Sequence, residues 1–128
     1  MAKDYKEWFR QSDYDYETAL FMHESGRYFY AVFMCHLSIE KALKGLYIKN
    51  TNLLPPKIHK LNYFIAKLSL AFNEDQSKFL ASLDSAGVAT RYPESLKIIS
   101  NEYKKRNTRE ILKSTKDVLQ WLEKELKK

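Results

Sequence analysis

Apolar side chains return every three or four residues at Tyr5, Trp8, Phe9, Tyr16, Ala19 and Leu20, which predicts an amphipathic helix over residues 3–24, closed by Gly26. From 27 to 50 the pattern changes character. Tyr28, Ala31, Val32, Cys35, Ile39, Ala42, Leu43 and Leu46 form one stripe, and Phe29, Phe33 and Leu37 form another. A helix apolar on more than one side is the central one, touching several neighbours or a second subunit. Pro55 and Pro56 then remove two backbone donors and set a turn over 50–56.

A third helix is predicted to carry Ile58, Leu61, Ile65 and Leu68, and Asn73-Glu74-Asp75 offers a cap for a fourth with Phe79, Leu80, Leu83 and Ala86 on its inner face. The fourth must stop before Pro93, because the residue ahead of a proline is disfavoured in the α region. Residues 93–106 are the least regular part, a loop with some helix. A last helix over 108–127 places Ile111, Leu112, Val118, Leu119, Leu122 and Leu126 along one side. No stretch alternates with period two. The expected fold is all-α: an up-and-down four-helix bundle with an additional helix, about five helices in one domain over residues 1–128.

The totals narrow the function classes. At 128 residues the chain can bury a core without metal or disulfide staples. Its one cysteine, Cys35, sits among apolar residues and reads as a small buried side chain in a reducing compartment. No apolar leader and no run of eighteen apolar residues occurs, so the expectation is a cytoplasmic protein with no membrane association. The net charge of +6 is uneven: residues 1–90 hold eleven basic and ten acidic side chains, and 91–128 hold eleven basic and six acidic. A basic C-terminal end attracts a nucleotide or RNA, although a plain solvated face accounts for the same pattern.

Candidate chemistry is sparse. His23, His36 and His59 are too scattered for a local metal box, and there is no Cys-x-x-Cys, no His-Glu-x-x-His and no glycine-rich phosphate loop, so neither a metal nor a cofactor is expected. Glu40 and Lys44 share a helix face in the favourable order, as a buried clamp or a ligand pair. His36, one turn before Glu40, can join that network. His59 reads as a capping group at the start of the third helix. Arg91, beside Tyr92 and the bend at Pro93, can clamp a phosphate in bidentate fashion or tie the loop to a carboxylate such as Glu40.

Tyr30-Ala31 followed by Ser38-x-Glu40-Lys41-Ala42-Leu43-Lys44, then Pro56 and His59-x-Leu61, then Arg91-Tyr92-Pro93-Glu94, resembles the HEPN domain, the higher eukaryotes and prokaryotes nucleotide-binding family, over nearly the whole chain. The resemblance implies a helical bundle that usually forms homodimers, often encoded beside a small nucleotidyltransferase as a toxin-antitoxin-like pair. Many members are metal-independent ribonucleases that use an Arg, four to six intervening residues and a His. This chain departs from that pattern: no Arg is followed by a His at that spacing, and no histidine lies beyond 59. The leading expectation is therefore a protein that is not a conventional ribonuclease and that binds a nucleotide, RNA or a partner enzyme. Arg91, Tyr92, Tyr30 and Lys44 are its expected ligand-binding residues, and Glu40, His36 and His59 their polar support. The alternatives are an endoribonuclease in which His36 or His59 faces Arg91 across a dimer, and a pure interaction module.

Overall fold

A computed structural model describes residues 4–128. Six helices follow one another: α1 Tyr5–Glu24, α2 Tyr28–Thr51, α3 Leu61–Lys67, α4 Glu74–Arg91, α5 Leu96–Glu102 and α6 Lys105–Leu126. Among the described residues there is no strand, and no helix is long and apolar enough to cross a membrane. The all-α bundle is as expected, with one helix more.

Helix ends follow local chemistry. Asp4 caps α1 by accepting from the Glu7 amide at 2.8 Å, and Gly26 leaves the helix with φ of 80°, a backbone conformation that a Cβ would strain. Asn73 and Gln76 form a reciprocal capping box on α4. That helix stops at Arg91, and Tyr92 turns out of the α region at φ −132°, ψ 67°, as Pro93 requires.

α2 is the central element. Thirteen of its residues are buried, and it packs against α1, α6 and α4. Against α1 the approach is close: Ser12 and Ser38 each donate to the other's backbone carbonyl at 2.7 Å, and Gly45 lies where any Cβ would stand 2.8 Å from the Phe9 ring. Those pairings run in opposite chain directions, so α1 and α2 form an antiparallel hairpin. α6 packs along the same hairpin, with the Tyr16 hydroxyl donating to the Leu112 carbonyl and the His23 imidazole to that of Lys105. Cys35 is fully buried here, and desolvation pushes its thiol up to about 12 despite a hydrogen bond with Thr115, which leaves it unreactive.

Two differences from the expected elements bear on function. Ile58 is not helical, and α3 begins only at Leu61. Its first two amides have no local side-chain cap. Instead Asp84 of α4 accepts from the Leu61 amide at 2.8 Å and the Asn62 amide at 3.1 Å. Residues 93–106, expected to be irregular, contain α5, started by the Ser95 side chain accepting from the Ile98 amide, and α6 begins three residues before its predicted start.

α4 lies antiparallel to α2, and Gly87 makes the contact close. A Cβ at Gly87 would stand 2.5 Å from Cδ2 of His36, whose imidazole lies flat against the α4 backbone. His36 Nε2 is 3.1 Å from Asp84 Oδ1. Burial raises the carboxyl of Asp84, but the hydrogen bonds from His36, Leu61 and Asn62 outweigh it and hold the group below its ordinary value. Asp84 is therefore an ionised acceptor, and His36 donates through Nε2.

Replacing Asp84 by Ala removes the α3 cap and the partner of a buried imidazole, and is expected to cost about 2 kcal/mol at pH 7. Because the folded carboxyl is the stronger acid, its contribution is complete above the unfolded value near about 4 and disappears as pH falls through the lower folded value. Urea midpoints of wild type and Asp84→Ala should stay apart at neutral pH and converge as pH falls below about 4. Gly87→Ala should lower the melting temperature although alanine is the better helix former by about 1 kcal/mol, because a pinned imidazole cannot retreat from the new methyl. Thermal unfolding of the variant checks it.

Candidate functional site

Where α2, α4 and the segment before α3 meet, a cavity of about 130 Å³ opens, lined by His36, His59, Lys60, Asp84, Gly87, Val88, Arg91 and Tyr92. Each side chain arrives there for a local reason. His36 comes from the buried α4-facing side of α2. His59 and Lys60 are carried in by the extended chain that follows Pro55-Pro56. Arg91 and Tyr92 stand where Pro93 ends α4.

Behind the cavity lies a chain of polar contacts. Glu40, 3% exposed, accepts at Oε2 from the Lys44 ammonium at 2.9 Å and from His59 Nδ1 at 3.0 Å. Its other oxygen, Oε1, is 3.8 Å from His36 Nδ1, close enough to attract but too far for a hydrogen bond. Neither of those two buried atoms has a hydrogen-bond partner. His36 then continues to Asp84 through Nε2. Two imidazoles are thus each held by a carboxylate. With Nδ1 of His59 given to Glu40, its Nε2 is the nitrogen left for a ligand.

The expected ligand residues are distributed unevenly. Arg91 lines the cavity with its guanidinium 5.1 Å from the Phe33 ring centre, and it is not tied to Glu40 or to any other carboxylate among the described residues. Tyr92 is 79% exposed and forms part of the rim. Lys44 is buried, its ammonium 5.8 Å from the Trp8 and Phe64 ring centres and bonded to Glu40. It does not line the cavity. Tyr30 is half exposed, packs on Phe29 at 4.4 Å between ring centres, and is also outside the lining.

Lys60, Asp84, Gly87 and Phe33 have roles the sequence reading did not assign. A glycine inside an otherwise regular helix was a usable signal for close packing at 87. Nothing local marked Asp84, whose partners lie 48, 23 and 22 residues away in sequence. The charge balance favours an anion: Arg91 and Lys60 are cationic, while the one lining carboxylate, Asp84, is already saturated by three donors. Among the described residues no group of three His, Cys, Asp or Glu side chains is placed to hold a metal ion.

Beside this cavity a wider, shallower depression of about 370 Å³ runs along Val88, Ala89, Tyr92, Pro93 and Ile98. Val88 and Tyr92 belong to both, so the Tyr92 ring stands between the two hollows, the second of which also carries Glu94 and Glu102 at its edge.

Two solved structures share the fold. TT1696, a protein of Thermus thermophilus, superimposes with a TM-score of 0.80 at 21% identity over 94% of this chain and 96% of that one. ST0689, described as an archaeal HEPN homologue, does so with a TM-score of 0.77 at 21% identity over 97% and 98%. At that identity the likeness is one of fold. None of the curated proteins compared with the chain matches it. The family model for the HEPN domain matches residues 5–126, from the first turn of α1 to the last residue of α6, and the chain belongs to that family.

Proposed function

We propose that the recess between α2 and α4 binds the phosphate-bearing part of a nucleotide. What supports this reading above all is the position of Arg91: a guanidinium with no carboxylate partner, backed by Phe33, beside Lys60 and the oriented imidazole of His59. Lys44, by contrast, is buried with its ammonium on Glu40 and lies outside the recess. Arg91 has kept its capacity for a ligand. The volume of about 130 Å³ suits a phosphate group and not a whole nucleotide. The base is then placed against the exposed Tyr92 ring, beside Val88 and Pro93.

Family membership adds a homodimer and a nucleotidyltransferase partner, in a toxin-antitoxin-like pair, to the proposal. The exposed apolar side chains Val88, Tyr92, Leu96 and Ile98 support a surface that another protein covers. A second reading, a ribonuclease with a non-standard site, is favoured by one feature: Glu40 orients His59 as a carboxylate orients the base of a catalytic pair.

Calorimetric titration with ATP is expected to show a micromolar dissociation constant for the protein, weakened about tenfold or more in Arg91→Ala, in line with the loss of one charge-assisted contact. Absence of binding by the wild type below millimolar ATP removes the nucleotide reading. RNA cleavage that disappears in His59→Ala while ATP binding persists is the outcome expected of the second reading.

A further inference from the structure

α6 carries its charges in an ordered array. Thr108, Leu112, Thr115, Val118, Leu119 and Leu122 take the buried face. With about 100° between successive residues, positions 105, 109, 113 and 116 fall within a sector of about 80° on the outside. All four are basic: Lys105, Arg109, Lys113 and Lys116, each exposed, with Arg106 beside the first. They advance along the axis in steps of about 6 Å, over about 16 Å in all.

None of these five cations has a carboxylate within ion-pair reach among the described residues. What sets them apart is their alignment on one exposed face, since Lys41, Lys44 and Lys78 on other helices are each paired singly, with Asp15, Glu40 and Glu74. Glu110 and Asp117 sit on the shoulder of α6, turned away from the line by about a sixth of a circle or more from its nearer edge for Glu110 and somewhat less for Asp117. At the start of the helix the array opens into a depression lined by Lys105, Arg106, Arg109 and Glu110.

We propose that this stripe docks the sugar–phosphate backbone of a nucleic acid, held by charge and without reading the bases. Regularly spaced cations in one line match a polymer whose charges repeat at fixed intervals. A protein partner also uses apolar or aromatic anchors, and the stripe has none: the aromatic residue of α6, Trp121, is packed on Phe72 with ring centres 4.1 Å apart. The same lack of aromatics removes base stacking as a source of affinity. This surface is separate from the recess at Arg91, so either assignment can fail alone.

The test is fluorescence anisotropy with labelled oligonucleotides of about 20 nucleotides, one single-stranded and one duplex, across a salt series. Four phosphate contacts predict a slope of log affinity against log salt of about −3 to −4 for the duplex and about −3 for the single strand. The double variant Lys105→Glu with Arg109→Glu should bind at least about tenfold more weakly at about 50 mM salt. Lys6→Glu with Lys78→Glu, which changes net charge equally on other helices, should stay within about twofold of wild type. Circular dichroism verifies that the variants remain helical. No binding at low salt, a flat salt dependence, or an equal loss in the control pair overturns the proposal. So does polyglutamate competing as well, charge for charge, as unlabelled oligonucleotide, which would mark an acidic protein as the partner.

Discussion

The recess exists because one carboxylate, Asp84, serves three elements at once. It projects from α4, accepts the Nε2 hydrogen of His36 on α2, and takes the two opening amides of α3. A short helix with no cap of its own would fray. Here its start is fixed by a side chain from another layer, and the preceding segment with His59 and Lys60 is thereby fixed as well. Removing water from an ionised carboxylate is unfavourable, and the three donors are what make it tolerable.

Close approach of two helices makes the geometry sharp. Gly87 admits the His36 ring onto the α4 backbone, and the same proximity brings Arg91, one turn later, over Phe33. Protein donors hold the carboxylates behind the recess: Asp84 by His36 and two amides, and Glu40 at Oε2 by Lys44 and His59. The cations facing the opening are not so held. Carboxylates already engaged by protein cations and amides, bordered by an arginine and a lysine without acidic partners, form a local asymmetry that a phosphate can exploit, and it arises from pairing and not from the total charge of the chain.

How much of this was legible in the residues follows from the range of the forces. The long helices α1, α2, α4 and α6 declared themselves through periodicity, and Pro93 through its constraint on Tyr92. Those are local effects. α5 was missed because seven residues with a serine cap give too short a period to read, and the start of α3 was placed too early because its cap comes from Asp84, 23 residues away. The same holds at the site. Glu40 with Lys44 was visible as a four-residue spacing, and its burial decided that Lys44 is an internal partner. Arg91 stood out through the bend beside it. Phe33 beneath it, Lys60 opposite and Gly87 against His36 are tertiary neighbours for which no spacing rule exists, and Tyr30, marked by its place in the motif, lies away from the recess.

The most direct measurement of the central claim is a nuclear magnetic resonance titration that follows the Arg91 Nε–H and the His59 imidazole signals as ATP is added. A phosphate seated in the recess predicts that both move together and saturate at one ligand per chain, while the Lys44 signal, shielded behind Glu40, moves little. If ATP leaves the Arg91 and His59 resonances unchanged, or shifts only the side chains of α6, the recess is not where the phosphate binds.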